Sequence, residues 1–202
     1  MNPAQPGPEA ARAEPSSVNL PNALTVARLI LVPLFLWLLL RDGGADPASR
    51  IWAAVVFLIA SATDFIDGDL ARRYGQVTNF GKIADPIADK ALTGAALIGL
   101  SYLGDLAWWI TLVIVVREVG VTLLRLWVIR LGVIPASRGG KVKTVAQMLA
   151  IVLYLLPLPD SVSLIRVLVL GIALALTVVT GIDYVVRVVK LRASADASQE
   201  SP

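Results

Sequence analysis

Four aspartates between residues 64 and 89 are spaced as two helical pairs. Asp64 and Asp67 are three residues apart, and Asp85 and Asp89 are four apart, so each pair lies on one face if its segment is helical. Apolar sequence of the membrane type flanks both pairs. Because a charge near the centre of a spanning helix costs about 2.5–3.5 kcal/mol, this cluster indicates a bound cation or a water-filled cavity.

Catalysis at this cluster would have to use carboxylates, lysine, arginine or a bound metal. The chain of 202 residues contains no cysteine and no histidine, which excludes disulfides, thiol chemistry, Cys/His zinc sites and triads with a histidine base. Carboxylates favour Mg²⁺ or Mn²⁺, cations that usually act together with phosphates. Gly68 and Gly81 leave room for a ligand, and Ala71 keeps the surface small one turn beyond Asp67. The sequence therefore predicts a divalent-metal site.

The composition is that of an integral membrane protein. Hydrophobic residues make up 56% of the chain and the mean hydropathy is +0.74, well above the soluble norm. A run of about 20 apolar residues crosses the hydrocarbon core, and the chain offers about six such runs when their polar ends are included. We predict an all-α bundle of six transmembrane helices: residues 21–40, 51–72, a third helix that follows a turn at Gly75 and ends near 103, 106–131, 144–156 and 162–184.

Local signals predict several boundaries of these helices. Asn22 is a candidate N-cap of the first helix, and residues 41–50 are predicted as a loop because they contain two glycines and a proline. Residues 138–143 are predicted as a basic loop before the fifth helix. We expect a membrane domain at residues 21–192 between disordered tails at 1–20 and 193–202.

The distribution of basic residues predicts the orientation of the helices. Lysine and arginine are concentrated after the second helix, after the fourth helix and at the C-terminus, and the alternate loops are poorer in them. By the positive-inside rule, both termini and the acidic cluster face the cytoplasm. We therefore expect an integral protein of the cell membrane whose active site opens to the cytoplasm.

A second set of charges follows the aspartates in the chain. Arg117, Glu118 and Arg125 lie within the fourth apolar run, where charged side chains usually face a bundle interior or a cavity. Lys141 and Lys143 precede the fifth helix, where lysines and a helix N-terminus favour a phosphate. Each feature also has a purely structural interpretation, namely an Arg–Glu pair in the fourth helix and a basic loop that only sets topology.

The complete acidic pattern resembles the signature of the CDP-alcohol phosphatidyltransferase family. It reads Asp64-x2-Asp67-Gly68-x2-Ala71-Arg72-x8-Gly81-x3-Asp85-x3-Asp89, with no signature position missing. The resemblance implies six membrane helices around a cytoplasm-facing cavity, in a protein that commonly forms homodimers. It also implies that the first three aspartates chiefly bind two divalent ions, which hold the pyrophosphate of CDP-diacylglycerol. Asp89, the fourth acid of this metal site, is implied as the base that deprotonates the acceptor alcohol.

The resemblance also assigns substrate contacts to other residues. Donor contacts are expected from Asn22, Thr25, Arg28, Asp64, Gly68, Ala71, Arg72, Thr78 and Gly81. For the first three of these, the structural alternative is a helix cap followed by an arginine that snorkels to the membrane surface. The phosphate of the acceptor is expected at Arg117, Arg125, Lys141 and Lys143.

The implied reaction transfers a phosphatidyl group from CDP-diacylglycerol to a small alcohol and releases CMP. Residues 19–147 are most similar to family members that use glycerol 3-phosphate as the acceptor, and inositol phosphate or another small alcohol is the alternative. A divalent-cation transporter would need ligands accessible from both sides, and a non-catalytic scaffold would leave the metal-ligand spacing unexplained. The expected partners are the two substrates, membrane lipids and a second copy of the chain, with no nucleic acid.

Overall fold

The chain is entirely helical in the part that the computed structural model describes, which is residues 20–73, 79–128 and 138–199. The all-α prediction is therefore confirmed for these residues, in which no strand occurs. Their six α-helices are α1 (Leu20–Leu40), α2 (Pro47–Arg73), α3 (Asn79–Tyr102), α4 (Trp108–Val128), α5 (Arg138–Leu155) and α6 (Ser163–Gln199). Two short 3-10 helices, Arg41–Gly44 and Asp160–Val162, follow α1 and precede α6. The predicted turn at Gly75 lies outside the described residues.

A capping motif starts α2 inside the segment that the sequence predicts as a loop. The Asp46 carboxylate accepts hydrogen bonds from the backbone N–H groups of Ala48 at 3.2 Å and Ser49 at 3.1 Å, and from the Ser49 hydroxyl at 2.5 Å. These bonds satisfy N–H groups that have no partner within the helix, and Pro47 suits the first helical position. The hydrogen bonds from Ser49 are also the main reason why the pKa of Asp46 lies below its usual value.

The ends of α1 and α2 test two other predicted boundaries. The predicted N-cap at Asn22 is wrong, because α1 already includes Leu20 and Asn22 is buried within the bundle. The predicted continuation of the second helix through Asp64 and Asp67 is confirmed, since α2 ends at Arg73.

The fifth helix begins earlier than predicted. Residues 138–143 are the first turns of α5, and the predicted basic loop at this position is therefore wrong. Gly139 and Gly140 each disfavour a helix by about 1 kcal/mol relative to alanine. An ion pair between Lys143 and Glu118 of α4 favours it, because this pair holds the first turns of α5 against the bundle. A tertiary contact thus overrides a local preference.

The last helix extends beyond its apolar run, which ends near residue 184. α6 continues to Gln199, so at about 1.5 Å per residue it is longer than the hydrocarbon core of about 30 Å. In its polar part, Arg187 pairs with Asp183 at 2.9 Å, and the Arg192 guanidinium lies 5.0 Å from the centre of the Trp127 ring. The predicted domain boundary at residue 192 falls within this helix.

The hydrophobic core is centred on α1, which packs against both α2 and α3, while α5 packs against α6. The ring centroids of Phe35 on α1 and Phe57 on α2 lie 5.9 Å apart, and both side chains are fully buried. Gly99 lets α3 approach α1 closely, because a Cβ atom there would lie 2.7 Å from a methyl carbon of Leu39. Small residues of this kind commonly mediate packing between membrane helices.

Two of the described helical segments are long and apolar enough to cross a membrane, namely Asn22–Gly44 and Asp160–Ala193. Pro47–Thr63 is a shorter apolar helix. Large apolar side chains such as Trp37 and Trp108 are exposed on the outside of the bundle, an arrangement that water disfavours and lipid does not. These features indicate a membrane protein, and the six-span topology stays a prediction.

Replacing Asp46 by alanine should lower the thermal unfolding temperature of the detergent-solubilised protein, because α2 loses its capping hydrogen bonds. The pKa of Asp46 is lowered from 3.8 in the folded protein, so its stabilising effect is fully present above pH 3.8 and is lost as the pH falls through the lower native value. The difference in unfolding temperature between wild type and Asp46→Ala should therefore shrink below pH 3.8. Asp42→Asn is the control, since the Asp42 side chain makes an exposed ion pair with Arg41. An equal effect of both variants would contradict the capping role.

Candidate active site

The four aspartates of the acidic pattern fall on consecutive helices. Asp64 and Asp67 belong to α2, and Asp85 and Asp89 belong to α3, so the helical spacing of both pairs is confirmed. The Asp89 side chain is described. The surroundings of the other predicted residues of this pattern lie outside the described part of the structure: Asp64, Asp67, Gly68, Ala71, Arg72, Thr78, Gly81 and Asp85.

Asp89 lines a cavity of about 600 Å³ between α2, α3, α4 and α5. The cavity has the size of a small-molecule binding site. The charged and amide groups on its wall come from three helices: Asp89 and Lys90 of α3, Glu118 of α4, and Lys141, Lys143 and Gln147 of α5. The structure thus brings the predicted base together with both of the lysines that were predicted to bind phosphate.

Glu118 is the centre of an ion network that joins α3, α4 and α5. Its carboxylate pairs with Lys90 at 3.5 Å, with the neighbouring Arg117 at 3.0 Å, and with Lys143. The side chain of Lys143 is 5% exposed and that of Glu118 is 19% exposed, so this pair is largely removed from water. Because a buried charge without a partner is strongly unfavourable, Glu118 compensates the cations that the fold brings together.

Arg117 connects this Glu118 network to α6. It donates a hydrogen bond to the Thr180 hydroxyl at 2.8 Å, and Gly181 leaves space for its stem, since a Cβ atom there would lie 3.0 Å from Cγ of Arg117. The structural interpretation of the fourth helix, an Arg–Glu pair, is therefore confirmed for Arg117 and Glu118. Neither Arg117 nor Arg125 is among the described residues that line the cavity, and Arg125 is exposed.

The early start of α5 gives its two lysines different surroundings. Lys143 is buried in the bundle and paired with Glu118, so a purely topogenic role does not account for it. Lys141 is exposed at the edge of the cavity, and among the described residues it has no ion pair. The cavity therefore has one lysine held in place by a carboxylate and one that is accessible to an anion.

Asn22, Thr25 and Arg28 form a buried polar stripe on α1, and each is at most 5% exposed. Arg28 donates a hydrogen bond from Nε to the backbone carbonyl of Ala60 on α2 at 3.1 Å. The alternative in which this arginine snorkels to the membrane surface is therefore wrong. Its charge also lies close enough to Asp89 for the two to interact electrostatically.

The carboxylate oxygens of the acidic pattern are suitable ligands for a hard divalent cation. α2 and α3 are continuous helices through both aspartate pairs, so the backbone positions of each pair lie on one side of their helix. Carboxylates suit Mg²⁺ or Mn²⁺, and the chain has no cysteine or histidine to favour a softer metal. Among the described side chains, which include only Asp89 of the four aspartates, no group of three possible metal ligands occurs. The metal site therefore stays a proposal.

Two residues of the cavity, Lys90 and Gln147, have no substrate contact assigned to them from the sequence, although Lys90 is expected to influence Asp89 and Gln147 is among the residues that carry the family resemblance. Lys90 reaches across from α3 to Glu118, and Gln147 is buried one turn after Lys143. The available signal is that each is a polar residue within an apolar helical run, and such residues in membrane helices usually face the bundle interior.

An apolar helical bundle with a charged internal cavity defines a membrane protein with a site for a polar ligand. The sequence profile of the CDP-alcohol phosphatidyltransferase family matches residues 18–179. This match covers most of the chain and includes the whole acidic pattern and the cavity residues. The protein belongs to the CDP-alcohol phosphatidyltransferase family.

Relatives of the chain are named as enzymes of phospholipid synthesis. A Mycobacterium tuberculosis protein named probable phosphatidylglycerophosphate synthase is 55% identical over 85% of this chain and 82% of its own length. A Bacillus subtilis protein named CDP-diacylglycerol–glycerol-3-phosphate 3-phosphatidyltransferase is 41% identical over 82% of this chain and 93% of its own length. A Streptomyces coelicolor protein named cardiolipin synthase (CMP-forming) is 43% identical over 50% of this chain and 47% of its own length.

Replacing Glu118 by glutamine should destabilise the protein strongly, because its cationic neighbours lose their common counter-charge while Lys143 stays buried. Removing one member of a buried ion pair costs about 3–5 kcal/mol, and thermal unfolding in detergent should show a correspondingly large fall in the unfolding temperature. Replacing Lys143 by methionine in the same chain should recover part of the loss, because the unpaired buried charge is then removed.

Asp183→Asn is the matched control for this network. Asp183 pairs with Arg187 at 2.9 Å in an exposed arrangement four residues apart, which is worth only about 0.3–0.5 kcal/mol. If Glu118→Gln and Asp183→Asn lowered the unfolding temperature equally, Glu118 would not have the central role described here.

Proposed function

We propose that this protein transfers a phosphatidyl group from CDP-diacylglycerol to glycerol 3-phosphate, which forms phosphatidylglycerophosphate and releases CMP. The observation that carries the proposal is that one cavity holds Asp89 of the acidic pattern together with Lys141 and Lys143. Membership of the family supports phosphatidyl transfer. The names of the M. tuberculosis and B. subtilis relatives support glycerol 3-phosphate as the acceptor.

The donor is proposed to bind at the acidic pattern of α2 and α3. Two Mg²⁺ or Mn²⁺ ions, when bound there, neutralise the pyrophosphate and the charge that develops on the transferring and leaving oxygens. Their proposed ligands are Asp64, Asp67, Asp85 and Asp89. The polar stripe of α1 packs against α2 through Arg28, which supports its role in donor binding. The remaining proposed donor contacts are Gly68, Ala71, Arg72, Thr78 and Gly81.

The acceptor phosphate is proposed to bind on the α5 side of the cavity. Lys90, Arg117 and Lys143 surround the single carboxylate of Glu118, so this network has an excess of positive charge. Such an excess attracts a phosphate, and lysine ammonium groups donate charge-assisted hydrogen bonds to it. The proposed phosphate contacts that line the cavity are Lys141 and Lys143. The other two predicted contacts, Arg117 and Arg125, are not among its described lining residues, so they would act on the phosphate through their charge.

Asp89 is proposed as the general base. The acceptor hydroxyl attacks the lipid-linked phosphorus, a new P–O bond forms, the P–O bond to CMP breaks, and the hydroxyl proton passes to the Asp89 carboxylate. A phosphate held by Lys143 and Lys141 would direct the far end of a three-carbon acceptor towards Asp89 across the same cavity. No covalent intermediate with the protein is required.

The proposed setting is the cell membrane, with six spans and both termini in the cytoplasm. The acyl chains of the donor then stay in the bilayer while its headgroup meets a water-soluble acceptor. Apolar segments in α1 and α6 support membrane insertion, and the basic residues of alternate loops support the orientation. We propose residues 21–192 as the membrane domain between polar segments 1–20 and 193–202, and a homodimer as the assembly on the basis of the family resemblance.

Two other acceptors are worth testing against glycerol 3-phosphate. The partial match to the protein named cardiolipin synthase (CMP-forming) makes phosphatidylglycerol a candidate, and inositol phosphate would suit the same cations. Family membership favours group transfer over cation transport or a scaffold role.

The acceptor is tested by supplying purified protein with CDP-diacylglycerol, Mg²⁺ and one acceptor at a time, and by measuring CMP release. We expect release with glycerol 3-phosphate and its loss when EDTA removes the cation. Release with phosphatidylglycerol or inositol phosphate alone would overturn the proposed acceptor. A folded preparation that releases no CMP with any of the three would overturn the transferase proposal.

Asp89→Asn should lower kcat by about 10²–10⁴-fold, the range that a general base contributes, while the binding of CDP-diacylglycerol is largely retained. Asp67→Asn should instead raise the Mg²⁺ concentration needed for half-maximal activity, since it removes a proposed metal ligand. CMP release and donor binding, each measured across a Mg²⁺ titration, distinguish the two effects, because saturating Mg²⁺ should restore turnover to Asp67→Asn and not to Asp89→Asn. Normal turnover of Asp89→Asn would exclude Asp89 as the base.

A further inference from the structure

Gln147 lines the cavity and has a buried hydrogen-bond acceptor that no described residue satisfies. It lies on α5 one turn after Lys143, it is 4% exposed, and it lines the cavity that also contains Asp89. Its Oε1 atom is buried and accepts no hydrogen bond from any described residue. Because buried amide oxygens in folded proteins are nearly always hydrogen-bonded, this atom indicates a partner that the described part of the chain does not supply.

The other buried polar side-chain atoms that lack a partner in the described chain are of a different kind. They are Nε atoms of Arg50, Arg117 and Arg166, and each of these guanidinium groups is held through another nitrogen, as Arg117 is by Glu118 and Thr180. None of the three arginines lines the cavity. Gln147 is therefore the one residue of this group that also lines the proposed substrate site.

The missing partner has to be a hydrogen-bond donor, and an uncharged hydroxyl suits an uncharged amide. A side-chain amide presents an oxygen that accepts and a nitrogen that donates, and a hydroxyl can serve either group. The acceptor proposed above carries two hydroxyls and a phosphate. Its phosphate is assigned to the lysines and its terminal hydroxyl to Asp89, so its middle hydroxyl is the group without a contact.

We infer that Gln147 binds the middle hydroxyl of the acceptor and thereby sets the specificity for glycerol 3-phosphate. This inference rests on the proposed function. Lys143 and Gln147 are four residues apart on α5, so their Cβ atoms are about 5–6 Å apart, a separation that one three-carbon phosphate ester can bridge. Contacts with the phosphate, the middle hydroxyl and the reacting hydroxyl would also fix the orientation of the acceptor.

The test compares glycerol 3-phosphate with 3-hydroxypropyl phosphate, which has the phosphate and the terminal hydroxyl but no middle hydroxyl. CMP release gives kcat/KM for each acceptor with the full-length protein, CDP-diacylglycerol and Mg²⁺. Wild type should prefer glycerol 3-phosphate by about 10- to 100-fold, because the analogue leaves the buried amide unpaired. Gln147→Met keeps the length of the side chain and removes its polar atoms. Its kcat/KM should therefore fall about 10- to 100-fold with glycerol 3-phosphate and little with the analogue.

Leu149→Met is the matched control, because it introduces the same side chain on the same helix at an exposed position that does not line the cavity. It should keep the wild-type preference. If Gln147→Met lowered kcat/KM equally for both acceptors, or if wild type itself showed no preference, Gln147 would not bind the middle hydroxyl. A wild type without a preference overturns the inference even if the variant does not fold. Wild type that releases CMP with neither acceptor would overturn the proposed function, which is a different outcome from release without preference.

Discussion

A charge that is removed from water needs a partner, and in this bundle Glu118 provides it. Its carboxylate meets Lys90 of α3, Arg117 of its own helix and Lys143 of α5. Through the bond from Arg117 to Thr180, the same network reaches α6. Apolar helices in lipid gain little from burying apolar groups against one another, so such polar contacts have a large part in deciding which helices meet. The network therefore organises the half of the bundle that surrounds the cavity.

This network also decides what kind of ligand the cavity suits. Glu118 balances only part of the positive charge around it, and Lys141 adds an accessible cation at the edge. Asp89 contributes a carboxylate to the same cavity. A ligand with an anionic end for the cations and a neutral hydroxyl end for Asp89 matches this arrangement of charges. A phosphorylated small alcohol has both ends. Family membership and the proposed reaction agree with that match.

The other half of the site depends on α1. This helix packs against both helices that carry the acidic pattern, and its close approach to α3 is possible because Gly99 has no side chain to collide with Leu39. The buried Arg28 donates a hydrogen bond to the backbone carbonyl of Ala60 on α2. α1 thus packs against α2 and α3 and also brings the charge of Arg28 near Asp89 of α3.

The helical class, the approximate extent of the first four helices and the spacing of the aspartates could be predicted from the sequence, because hydrophobic runs and helical periodicity are local properties. The sequence did not determine the start of α5, where two glycines favour a loop and the pairing of Lys143 with Glu118 favours a helix. Nor did it reveal that Arg28 is buried or that the Gln147 oxygen lacks a partner. Those properties depend on neighbours that are distant in the chain, so they could be seen only in the folded structure.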